Sequence, residues 1–172
     1  MRRSILTAVA LTTLVAGTAY AADGAVNSAA EAQAKEDQKD DLPAKCTLRE
    51  IQASHDEPAN IDPQITRLRL YFEKAPFNAW KQFHLLTTKE FTLQDEKSQS
   101  IDLANGRKAE VTYTDHMTRA DGKHRLRLRV QVTHGEKRVM DTTFVLDEGG
   151  VMLQAVQGKT HLLVLAVSCE TH

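Results

Sequence analysis

The chain has 172 residues, with 22 Lys and Arg against 23 Asp and Glu, a formal net charge of −1, and two cysteines. So even a balance excludes a general nucleic-acid binder, which needs a marked basic excess to displace counterions from phosphate. Hydrophobic residues make up 41% of the chain, and a chain of this length can bury a real core with them.

Arg2 and Arg3 precede an apolar run, Ser4 to Gly17, that is too short to cross a bilayer. Ala19-Tyr20-Ala21 then places small residues where a signal peptidase reads them. Residues 1–21 therefore read as a signal peptide, with a periplasmic or extracellular mature protein and no transmembrane anchor after cleavage. Residues 22–44 are alanine, charge and small polar residues, with Val26 and Leu42 the only large aliphatics. A stretch with so little to bury cannot offset its ordering entropy, so it reads as an acidic, disordered tether.

Residues 45–172 read as a single β-rich domain, holding 18 Lys and Arg against 17 Asp and Glu. Cys46 and Cys169 bracket it, and no C-x-x-C spacing is present. In an oxidising compartment such a pair predicts a disulfide stapling the first strand to the last. Cys46, Leu48 and Ile51 suggest the early strand. The segment "IDPQITRLRLYF", Ile61 to Phe72, satisfies two periods. Leu68, Leu70 and Phe72 alternate as in a strand, whereas Asp62, Pro63, Ile65, Leu68 and Phe72 fit a capped amphipathic helix. The cap chemistry favours the helix. In "PFNAWKQFHLLTTKEFTL" Phe77, Trp80 and Phe83 then form an aromatic group leading into a strand.

Asn105-Gly106, Asp121-Gly122, His134-Gly135 and Gly149-Gly150 punctuate the second half. Between them run period-2 segments, the signature of an antiparallel meander. Val111, Tyr113, Leu126, Leu128, Val130, Val132, Met140, Phe144 and Leu146 are expected inward. Leu162 to Val167 are apolar on both faces, which predicts a central strand covered on each side. The whole reads as mainly β, an antiparallel β-sandwich or partly closed barrel of about 7–9 strands with one short helix packed on it.

In "HRLRLRVQV" Arg125, Arg127 and Arg129 alternate with buried positions. They form a candidate binding face for acidic segments or anionic glycans. As a solvated sheet face, the same row would pair with acids on neighbouring strands, with Asp115 and Asp141 the plausible partners. Phe77, Trp80 and Phe83 are candidate pocket aromatics, or simply core. Seven histidines occur without H-x-x-x-H or H-E-x-x-H spacing, and His84, His116, His124 and His161 make no recognisable ligand set. No G-x-S-x-G elbow, P-loop or dinucleotide fingerprint is present. The expectation is an exported, non-enzymatic domain without metal or cofactor. It would bind another cell-envelope protein, as an accessory component of a secretion, pilus or motility assembly does. The alternatives are a soluble binding module for an anionic glycan or amphipathic small ligand and, third, a hydrolase built from distant residues.

Overall fold

A computed structural model describes residues 42–158 and 160–171, all within one compact unit, Lys39–His172. Residues 1–41, which carry the expected signal peptide and most of the expected tether, lie outside the described residues. Nine strands are present among them: β1 (Ala44–Ser54), β2 (Asn60–Ile61), β3 (Gln82–Leu93), β4 (Ser98–Asp102), β5 (Arg107–Thr118), β6 (His124–His134), β7 (Lys137–Asp147), β8 (Val151–Gln157) and β9 (Leu162–Thr171). They form two sheets. The larger has the order β2-β3-β1-β9-β8 and the smaller the order β4-β5-β6-β7. Every pairing is antiparallel except the short β2–β3 contact.

The meander follows its turn residues. Gly122 and Gly135 adopt φ of +79° and +59°, conformations an L side chain resists, so each turn falls where glycine relieves that strain. β6, the Arg/Leu strand, is internal to the smaller sheet and sends Leu126, Leu128, Val130 and Val132 into the space between the sheets. There they meet Val111, Tyr113, Phe144 and Leu146 from the same sheet, and Leu48, Leu93, Leu165 and Val167 from the larger one. Met140 packs against this cluster while remaining partly exposed.

A second core lies on the outer face of the larger sheet. Asp62 caps a 3-10 turn, Pro63–Leu68, by accepting the Gln64 backbone N–H, and the turn runs into a single α-helical turn, α1 (Arg69–Phe72). The helical reading of Ile61 to Phe72 therefore holds from Pro63 onward, and Asn60–Ile61 form the short β2. Ile65, Leu68 and Phe72 from this segment cover Ile51, Ala53, Phe83, Leu162, Val164 and Ala166. That cover explains the two-faced hydrophobicity of β9: Leu165 and Val167 serve the inner core, Val164 and Ala166 the outer one.

β3 also serves both cores, by another device. Its pairing with β1 slips between Glu50 and Ile51, so that Leu86 is an extra residue. A one-residue slip exchanges the faces of a strand. Phe83 and Leu85 accordingly point to the outer core, and Phe91 and Leu93 to the inner.

Cys46 and Cys169 face each other in register on β1 and β9 and are joined by a disulfide, with their Cα atoms 4.1 Å apart. The expected staple thus lies in the middle of the larger sheet. A disulfide is compatible with an oxidising, exported location.

Candidate functional site

Arg125, Arg127 and Arg129 emerge together on the outer face of the smaller sheet, as strand alternation requires. Two of the three are neutralised. Arg129 makes a forked contact to Asp141, Nε to Oδ1 at 2.9 Å and an Nη to Oδ2 at 2.7 Å. The same carboxylate accepts from Gln131 at 2.8 Å and from Arg138 at 3.1 Å. Arg125 donates to Asp147 at 2.6 Å, which also lies 3.8 Å from Arg119. Arg127 stands opposite Asp115 and Val145 in register and forms no ion pair among the described residues. Of the acids expected from sequence, Asp141 pairs with the row. Asp115 accepts its neighbour's His116 N–H at 2.9 Å instead. Asp141 and Asp147 thus lace the two ends of the row, with Arg127 between them.

The hydrogen bonds from Arg129, then Gln131, hold the Asp141 carboxyl well below the usual carboxylate range, and Arg125 lowers Asp147 in the same way. A carboxyl that titrates lower when folded adds stability above its unfolded pKa of about 3.9, and that stability is lost as pH falls toward the folded value. Asp141→Asn is therefore expected to flatten the acid limb of the stability profile below about pH 4. Urea midpoints across a pH series read this directly, and an unchanged limb would show the pairs to be energetically silent.

The aromatic group divides. Phe77 and Phe83 are 8% and 4% exposed and belong to the outer core. Phe72 stacks on Phe83 with ring centroids 4.0 Å apart and meets Phe77 edge-on. Trp80 is half-buried and stacks on His55 at 4.0 Å. Trp80, Phe72 and Phe83 line a groove of about 500 Å³ together with Asn60, Arg69, Glu73 and Lys81. Phe77 is core and takes no part in that groove.

The histidines do not converge on a metal geometry. His116 Nδ1 lies 3.9 Å from Asp95, the His116 and His124 rings are 6.4 Å apart, and His84 is 3.6 Å from Asp62. No group of three His, Cys, Asp or Glu side chains placed to hold a metal occurs among the described residues.

The sequence reading missed two features. Glu50 on β1 is fully buried between the sheets; it accepts from Arg107 at 2.8 Å and from the Ala104 backbone N–H at 2.6 Å. Arg107 reaches it from the first residue of β5 and keeps 21% of its side-chain surface exposed. It lines a cavity of about 290 Å³ with Gln52, His134, Val139, His161 and Leu163. The second feature is a pair of guanidinium groups, Arg49 and Arg67. They line one groove on the outer face of the larger sheet, and neither has an ion pair among the described residues.

Comparison with protein-family models, with curated proteins and with solved structures finds no match. The assignment of function rests on the molecule's own surfaces.

Proposed function

We propose that the protein is an exported, non-enzymatic binding domain that docks an extended segment of another cell-envelope protein along β8. The observation that carries this reading is the composition of the sheet edges. β7 bears Lys137, Arg138, Asp141 and Asp147, the open length of β3 bears Lys89 and Glu90, and β4 is five residues long and ends in Asp102. Charge and shortness are what keep natural strand edges from recruiting other strands. β8, "VMLQAVQ", has neither charge nor proline along its seven residues, and it is the outermost strand of its sheet. Its outward backbone groups suit strand addition, in which main-chain hydrogen bonds give affinity and alternate side chains give register. The leader-like first 21 residues and the disulfide support an exported setting. The pairing of Arg125 and Arg129 to aspartates favours the edge over the Arg125–Arg129 face as the contact surface.

A photo-reactive amino acid placed at Ala155, an exposed β8 position, tests the reading in living cells. The expected result is a discrete adduct larger than a dimer of the chain. It should be abolished by Gln154→Lys and absent when the probe replaces Val145, which is 40% exposed on β7. An adduct of dimer mass would replace the envelope partner with a second copy. Equal adducts at both positions, or none, would overturn the proposal.

A further inference from the structure

The groove that contains Arg49 and Arg67 has the chemistry of a ligand site. It lies on the outer face of the larger sheet, beside the end of the helical cover, with a volume of about 450 Å³. Alternation along β1 places Lys45, Thr47 and Arg49 on this face, the same face that Ile51 and Ala53 use further along to contact the helical segment. Arg67 and Tyr71 overhang from the 3-10 turn and α1, and Ser168 and Glu170 enter from β9.

Two observations set this groove apart from ordinary polar surface. First, Arg49 Nη1 is buried and has no hydrogen-bond partner among the described residues. A buried guanidinium N–H without an acceptor is costly, and native structures rarely leave one so without an ion, water or ligand to meet it. Second, the cations are under-compensated. Lys45 stands 4.0 Å from Glu90, but Arg49 and Arg67 have no carboxylate of their own. On β6, Arg125 and Arg129 are each satisfied by an aspartate, and Arg127, which has no ion pair among the described residues, is exposed and leaves no buried nitrogen unpartnered.

We propose that this groove binds an acidic sugar residue, a ring that carries a carboxylate beside free hydroxyls. The guanidinium forks of Arg49 and Arg67 match a planar carboxylate, with Lys45 adding charge at the rim. A ligand that was only an anion would not suit Glu90 and Glu170 in the same lining. For a sugar these two carboxylates, with Thr47 and Ser168, are acceptors for its hydroxyls. Tyr71, 39% exposed at the rim, offers a ring face to the apolar side of a pyranose. The site is independent of strand addition at β8 and stands or falls separately.

Titration of the ¹⁵N-labelled protein with glucuronate, followed by amide shifts, tests the inference, with glucose, inorganic phosphate and a tetra-aspartate peptide as comparison probes. Glucuronate up to about 20 mM, a range suited to millimolar single-ring affinities, is expected to shift the amides of Thr47, Arg49, Tyr71 and Ser168. Glucose at equal concentration should leave them in place, and phosphate and the peptide should bind at least about tenfold more weakly. Arg49→Gln should weaken glucuronate binding by about tenfold or more. Arg67→Ala, an exposed substitution that leaves the core intact, should do the same and guards against a folding defect in the first variant. No localised shifts, equal shifts from glucose, or wild-type affinity in Arg67→Ala would overturn the proposal. So would tighter binding of phosphate or of the peptide, which would make this a plain oxyanion site or a peptide site.

Discussion

Arg107→Leu is expected to destabilise the fold by about 3–5 kcal/mol, the range for breaking a buried ion pair from one side. The cause is the carboxylate left behind. Glu50 is fully buried between the two sheets, and its acceptors face only Arg107 and the Ala104 backbone N–H. Without the guanidinium its charge is held in a low-dielectric interior by one remaining hydrogen bond. Glu50→Leu together with Arg107→Leu removes both charges and fills part of the volume with hydrocarbon, so the pair of substitutions should cost less than Arg107→Leu alone. Urea unfolding of the wild type, the two single variants and the double variant gives the coupling. Costs that simply add would show that the two groups act separately, against the geometry described.

Replacing Cys46 and Cys169 together by alanine is expected to lower stability by about 2–5 kcal/mol. The bridge spans 123 residues, for which the loop-closure relation gives about 5 kcal/mol, the upper end of that range. Reductant should shift the unfolding midpoint of the wild type toward that of the double variant and leave the double variant itself unchanged. A wild type whose midpoint ignores reductant would show that the cross-link adds little to the sheet. Both predictions fall at the same place in the molecule, since Cys46 and Glu50 lie on one face of β1 and point into the space between the sheets.

Much of this architecture was legible because local chemistry and global packing agree. Positive-φ glycines mark the turns, and the inward residues Ala109, Val111 and Tyr113 of β5 alternate regularly opposite Leu128, Val130 and Val132 of β6, up to a bulge at Thr114. The two-faced apolar character of β9 correctly required cover on each side. The bulge in β3 was not legible, because "HLLTTK" looks regular and the slip is imposed by its pairing with β1. The arginines were legible only in part, for a related reason. A row in sequence draws the eye to Arg125, Arg127 and Arg129, but acids on an adjacent strand decide whether such a row is available. Arg49 and Arg67 come from different segments, and only the fold brings them to one groove. Glu50 left a trace that was overlooked: it shares the parity of Cys46 and Leu48, so the alternation already placed a carboxylate indoors.

The pairing of β1 with β9 constrains how the domain can assemble. The earliest strand sits at the heart of its sheet, flanked by β3 and by a strand made only at the far end of the domain. A polypeptide threading through any channel with its amino end leading can form the β5–β6–β7 ribbons as they emerge, since their contacts are near neighbours. The five-stranded layer has to wait for the last ten residues of sheet, Leu162–Thr171. Until those residues are free to pair, one side of Ala44–Ser54 lacks its mate, and the disulfide between Cys46 and Cys169 cannot close in register.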